Sequence, residues 1–264
     1  MTRIDGKTVW ITGASSGIGE ALTYKLNRKG CQLIISSRNE KELLRVKHRC
    51  LHPDLVFVLP LDLAAFDAME AKANVAIAAF GKIDILVNNG GMSQRSLIKD
   101  ASFEVFKKLI DVNYLGTIGL TKALLPYFLK QKSGHIVTIT SLMGKFGTPY
   151  RSGYCGAKHA LHGFFDVLRM EHEKDGLKVT LICPGFVKTK VAMNALSADG
   201  TPQLIDDGAT ANGLPVDDFT QKMIGAMERE KFEVYIGKKE VMGIYLKRFF
   251  PKLLHKIVLK SKVV

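Results

Sequence analysis

Cysteine is scarce in this 264-residue chain, with four residues, Cys31, Cys50, Cys155 and Cys183. Their spacing matches neither a metal knuckle nor a redox pair, so they read as separate buried thiols in a reducing compartment. Internal repeats and low-complexity stretches are absent, which excludes solenoids and disordered scaffolds. No apolar run approaches the ~20 residues of a membrane span. The chain enters an apolar stretch, Thr8-Val9-Trp10-Ile11, almost at once, with no basic leader and apolar stretch ahead of it. The expectation is a soluble cytoplasmic protein. Acidic residues are also few, 25 against 38 Lys and Arg, for a net charge of +13. That excess could serve nucleic acid, but no reader motif accompanies it and no nucleic-acid partner is expected.

What is present is alternation. Short β-branched runs at Val9–Thr12, Gln32–Ser36, Val56–Pro60, Ile83–Val87, His135–Thr140, Val179–Cys183 and Glu233–Ile236 read as strands. Amphipathic segments near 17–29, 40–51, 65–80, 103–131, 153–174 and 217–229 read as helices between them. Apolar strands with helical crossovers predict an α/β fold, a Rossmann-type doubly wound parallel sheet of about seven strands with helices on both faces. A single domain over 1–264 is expected, and ligands should bind outside the carboxyl ends of the strands.

The chemistry-bearing residues fall at those ends. The first strand runs into Gly13-Ala14-Ser15-Ser16-Gly17-Ile18-Gly19, spaced Gly-x-x-x-Gly-x-Gly, where glycines let the backbone approach a pyrophosphate at a helix N-terminus. The second ends in Ser37-Arg38; a guanidinium suits a 2′-phosphate that an acid would repel, so NADP(H) is the expected cofactor. Asp62-Leu63 ends the third strand and Asn89-Gly90 follows the fourth. Tyr154 and Lys158 stand four apart on one helical face, with Ser141 thirteen residues upstream. A lysine ammonium there is expected to lower the tyrosine pKa from its usual ~10.

Together TGASSGIG (12–19), Asp62, NNGG (88–91), Asn113 in DVNYLG, Ser141, YCGAK (154–158) and PGFVKT (184–189) resemble the short-chain dehydrogenase/reductase family over residues 6 to about 237. The resemblance implies an oxidoreductase that interconverts a ketone or aldehyde and an alcohol by hydride transfer. It implies Tyr154 as general acid/base, Lys158 on Tyr154 and the nicotinamide ribose, Ser141 on the carbonyl, and Asn113 in a water relay to Lys158. It implies Pro184, Gly185, Val187 and Thr189 around the nicotinamide, and a homodimer or homotetramer. No metal is implied.

Residues 190–214 are expected to form a substrate lid. Met92, Leu142, Met143, Tyr150 and Met193 are candidate lining for a lipophilic substrate. From Gly237 to Val264 there are eight Lys or Arg against one acid, Glu240, interleaved with apolar residues at helical spacing. The extension at 238–264 is thus a basic amphipathic segment, able to dock on the sheet edge, on another subunit or peripherally on a membrane. Docking on protein is preferred because Pro251 interrupts the pattern. The extension is similar to those of membrane-associated, member 7B-like proteins of the family. A membrane-peripheral scaffold, or an NADP-sensing protein without turnover, is the competing reading.

Overall fold

The computed structural model describes residues 3–205 and 208–261. The expected lid and extension run over 206–207 and 262–264, which lie outside the described residues. In chain order the elements are β1 (Thr8–Thr12), α1 (Gly17–Arg28), β2 (Gln32–Ser36), α2 (Glu40–His48), β3 (Val56–Val58), α3 (Met69–Phe80) and β4 (Ile85–Asn88). There follow α4 (Phe103–Ile110), α5 (Gly116–Gln131), β5 (Gly134–Ile139), α6 (Ser152–His172) and β6 (Leu177–Pro184). The chain closes with α7 (Gly208–Ala211), α8 (Val216–Glu228), β7 (Glu233–Ile236), α9 (Met242–Phe249) and α10 (Pro251–Lys260).

The strands form one parallel sheet in the order β3-β2-β1-β4-β5-β6-β7. The order reverses direction between β1 and β4, which opens a crevice at their carboxyl ends. Strand alternation divides the core. Val9 and Ile11 of β1 face α1, α2 and α8, packing with Leu22, Leu26, Leu43 and Phe219. Trp10 faces α3, α5 and α6, packing with Leu120, Phe128 and Phe165. The indole of Trp10, which is the chain's one tryptophan, donates to Ser36 Oγ at 2.9 Å. This bond satisfies a buried polar atom while tying β1 to the end of β2.

Two segments depart from the helical expectation. The stretch 103–131 is not one helix, because a π-helical turn at Asp111–Leu115 separates α4 from α5. Such turns shift the register of one helical face and recur at functional sites. The extension is two helices rather than one, since Pro251 lacks the N–H that a continuous helix needs and instead starts α10.

The core also holds a histidine. His135 on β5 is buried, its Nε2 2.8 Å from Thr180 Oγ1 on β6. Burial pushes its pKa from 6.5 down to about 4. The unfolded chain therefore binds the extra proton between those values, so stability is complete above pH 6.5 and falls as the pH drops towards 4. At 1.36 kcal/mol per pKa unit the loss is about 3 kcal/mol. Denaturant titrations over that range should show this slope in the native protein. His135→Val should flatten it, and an unchanged slope would refute the assignment.

Candidate active site

β1 leads into a turn whose glycines are set by contact. Gly13 has φ +64°, and a Cβ there would come within 2.8 Å of the Gly90 Cα. A Cβ on Gly19 would lie 2.3 Å from the Gly13 carbonyl oxygen, so α1 can rise this steeply only with glycine at that position. Asn89 closes the turn from the far side, its Nδ2 donating to the carbonyls of Thr12 (2.9 Å) and Gly13 (3.1 Å). Arg45 braces it from α2, donating to the Ser15 carbonyl at 3.1 Å and pairing with Glu20. Ser16, at the helix start, makes no side-chain cap, so no side chain occupies the first-turn amides of α1.

A cleft of about 1210 Å³ runs from this turn across the strand ends. Of the residues expected to hold a cofactor, Gly13, Ser15, Ser16, Gly17, Ile18, Arg38, Asp62, Leu63, Asn89, Gly90, Tyr154, Lys158, Pro184, Gly185, Val187 and Thr189 line it. Gly19 does not; it lies behind the turn, for the steric reason just given. Asp62 is partly engaged locally, its Oδ1 accepting the Ala64 N–H at 3.0 Å. The glycine cradle, the uncapped first-turn amides and the cation at the β2 end fit a dinucleotide.

The catalytic candidates gather at the β4–β5 side. Tyr154 and Lys158 lie one turn apart on α6, and Ser141 follows β5 and lines the same cleft beside the Tyr154 side chain. Lys158 Nζ lies 5.8 Å from the Tyr154 ring centroid and donates to the Ile139 carbonyl at 2.8 Å. Burial pushes the phenol pKa up, with the nearby Ser141 hydroxyl opposing it. Burial also pushes Lys158 down to about 8. The expectation that Lys158 would lower the tyrosine pKa is thus not met here. Desolvation dominates both groups, and the ammonium is spent on a backbone carbonyl.

Asn113 differs most from its expected part. It sits in the π-helical turn, is fully buried and does not line the cleft. Its side chain grips the Met92 backbone at both ends, Oδ1 accepting the N–H at 2.8 Å and Nδ2 donating to the carbonyl at 2.9 Å. A Cβ on Gly91 would approach Asn113 Oδ1 to 2.7 Å, so this tether needs glycine beside it. Asn113 acts from behind the wall.

Met92, Leu142 and Met143 line the cleft, while Tyr150 and Met193 do not. Tyr150 takes φ +67° in the turn before α6 and is 39% exposed. Met193 is half-buried within the 190–205 segment, whose Val191, Asn194, Leu196 and Pro202 reach the cleft instead.

Several functional positions were not singled out in the sequence. Gln94 is buried and accepts the Gly153 N–H at 2.8 Å, capping α6, which has no local side-chain cap, just ahead of Tyr154. Glu240 accepts the N–H groups of Phe186 (3.0 Å) and Lys238 (3.1 Å), pinning the extension to the segment after β6. The extension docks on protein, packing with Leu142 and Phe146 and beside Tyr235 of the edge strand β7. Met242, Leu246, Leu254, Ile257 and Val258 form one wall of the cleft. Beneath Leu142–Gly144, His162 lies with Nε2 3.9 Å from Cys183 Sγ and Nδ1 3.3 Å from Glu233, which also pairs with Lys145 at 2.8 Å. The two ring nitrogens face different partners, so this buried cluster is an ion-paired support rather than a convergent ligand set.

The sequence model of the short chain dehydrogenase family matches residues 7–200. The chain belongs to the short-chain dehydrogenase/reductase family. It is thus placed among oxidoreductases whose members bind a nicotinamide cofactor. It is 43% identical over 250 residues to human dehydrogenase/reductase SDR family member 7, covering 92% of this chain and 74% of that protein. It is 36% identical to mouse member 7B, covering 95% and 79%. Solved structures of the fold include a short-chain dehydrogenase/reductase from Burkholderia phymatum in complex with NAD, with TM-score 0.84 at 24% identity over 96% of both chains. An alcohol dehydrogenase from the archaeon Thermococcus sibiricus, complexed with 5-hydroxy-NADP, gives TM-score 0.76 at 24% identity, covering 88% of this chain and 97% of that one.

Proposed function

We propose that this family member is an NADP(H)-dependent oxidoreductase that interconverts a lipophilic ketone or aldehyde and its alcohol, with Tyr154 as general acid/base. The observation that carries this reading is the grouping of Tyr154, Ser141 and, one turn along α6, Lys158 in the same cleft as the glycine-rich turn. A nicotinamide cofactor supplies the hydride when bound. The chain supplies geometry and the proton. Tyr154, its pKa raised by burial, is protonated at neutral pH and can donate to a carbonyl oxygen. Ser141, whose Oγ accepts the Met143 N–H at 3.1 Å, keeps its hydroxyl proton free as a second donor to that oxygen as negative charge develops on it.

Lys158 carries its charge below a pKa of about 8 and faces the tyrosine ring. The rise in pH through 8 removes that charge, so carbonyl reduction should weaken on the alkaline side. Preference for NADP(H) rests on Arg38, exposed on the cleft wall after β2. The lipophilic substrate is supported by Met92, Leu142 and Met143, which line the cleft together with apolar residues of α9 and α10. A homo-oligomer and a cytoplasmic location belong to the same reading.

The test is turnover of a panel of apolar ketones, aldehydes and alcohols by the full chain with NADPH and NADH. Turnover with preference for NADPH is the expected result. A chain that binds NADPH and turns over no member of the panel would overturn the catalytic reading.

A further inference from the structure

The helices that wall the cleft also carry the most apolar exposed surface of the described molecule. Their inner face is buried. Leu254 packs on Leu142, Phe146 and Cys183, and a Cβ on Gly243 would meet the Phe146 ring at 2.7 Å. Their outer face leaves Tyr245, Phe249, Phe250, Leu253 and Leu259 between 48% and 68% exposed. Met242 and Ile257 belong to both, lining the cleft while 57% and 43% exposed, so they stand on its rim. Across the mouth, Val191 lines the cleft and is exposed, and Leu204 and Ile205 follow it at 71% and 69%. Leu204 is held outward with φ +58°, a conformation a leucine adopts rarely.

Charge decides what this surface fits. Lys247, Arg248, Lys252, Lys256 and Lys260 are exposed among the apolar residues; the lone acid of the extension, Glu240, is turned inward onto backbone amides, and Asp199 of the 191–205 segment is engaged by Ser197 and Thr201. A twofold contact between two copies would set these five cations against their own images. An anionic lipid surface complements them, while the aromatic and aliphatic side chains enter the headgroup layer.

We propose that α9, α10 and the 191–205 segment form a docking face for an anionic membrane surface, with the cleft mouth at its centre. The lipophilic carbonyl or alcohol then passes from the leaflet between Met242, Ile257 and Val191 to Ser141 and Tyr154 without crossing water. The delivery step rests on the functional reading above; the docking step does not.

The experiment uses the full chain with vesicles of phosphatidylcholine alone and of phosphatidylcholine with phosphatidylserine. Sedimentation should carry the protein down with the anionic vesicles, and roughly tenfold less with neutral vesicles or at high salt. The variant Phe249→Ser/Phe250→Ser/Lys252→Glu/Lys256→Glu changes exposed residues outside the cleft lining. It should bind anionic vesicles at least about tenfold more weakly. It should keep its thermal midpoint and its turnover of a water-soluble carbonyl, yet lose about as much turnover of a carbonyl embedded in anionic vesicles. Native protein that ignores vesicles, or a variant that binds them equally, would overturn the docking. A concentration-dependent dimer abolished by the variant, with no vesicle binding, would assign the face to a second copy. Vesicle binding without turnover of any carbonyl would remove the delivery step and the functional reading, and leave the docking standing.

Discussion

Tyr154→Phe is expected to lower kcat/KM for carbonyl reduction by roughly 10²–10⁴-fold while leaving NADPH affinity nearly unchanged. That loss corresponds to about 3–5 kcal/mol of transition-state stabilisation at 1.36 kcal/mol per tenfold. The substitution deletes only the phenolic hydroxyl. Tyr154 packs with Leu109 and Leu196, and a phenylalanine ring keeps those contacts. The Gln94 acceptor that caps α6 binds main-chain N–H groups of Gly153 and Tyr154, so the helix start is also retained. The Ser141 hydroxyl keeps the Met143 N–H, which donates to it at 3.1 Å. A fall in kcat with unchanged cofactor binding and unchanged thermal midpoint is therefore the signature of a lost proton donor. Steady-state kinetics with a soluble carbonyl, beside NADPH binding by fluorescence, makes the check. Unaltered turnover would remove Tyr154 from the chemistry.

The raised phenol also bears on what could be read in the chain beforehand. A Tyr-x-x-x-Lys spacing specifies that two side chains share a helical face, and α6 does place them so. The spacing carries no information on how dry the face is or what else binds the lysine. Desolvation and the Ile139 carbonyl are products of tertiary structure, and they reverse the expected direction of the tyrosine shift. The strands were legible because burial on both faces leaves near-continuous apolar runs such as Leu33-Ile34-Ile35. The π-helical turn was hidden, since its residues keep helical periodicity on either side. Asn113 was marked by its motif alone; its grip on Met92, which joins residues 21 apart in sequence, was not legible.

The extension shows the same divide from another side. Its amphipathic pattern and the break at Pro251 were visible, and both helices exist. Its partner was not visible. Apolar periodicity states that a face will be covered without stating by what. Here the cover is Leu142, Phe146 and Cys183, next to the catalytic residues. The anchor, Glu240, looked like a stray acid in a basic tail. Its carboxylate reaches back 54 residues to the Phe186 N–H.

Arg38→Asp should weaken NADPH by about 100-fold or more and leave NADH within a few-fold, reversing the coenzyme preference. Arg38 stands at the end of β2, where the chain turns into α2 and where an acid would instead hold a ribose 2′-hydroxyl. A guanidinium can meet a phosphate with two parallel N–H···O bonds, and a carboxylate in its place sets like charges a few ångströms apart. Two unit charges at ~4 Å interact by about 4 kcal/mol at an effective dielectric of 20, and less at an exposed site in salt. Even half of that value exceeds the 1.4 kcal/mol of a tenfold change. The neighbouring Glu40 opposes the preference, because it also lines the cleft with a negative charge two residues on. Asn39 between them is committed to the start of α2, its side chain accepting the Glu42 N–H at 3.2 Å. Arg38 must therefore outweigh Glu40 for NADPH to be preferred, and its removal leaves an acid unopposed. The discrimination should shrink as salt rises, which a loss of folding would not reproduce. Titration of both cofactors at low and high salt makes the comparison. Equal losses for NADPH and NADH would refute the 2′-phosphate contact and leave the choice of cofactor to Ser15, Ser16 and Ser37.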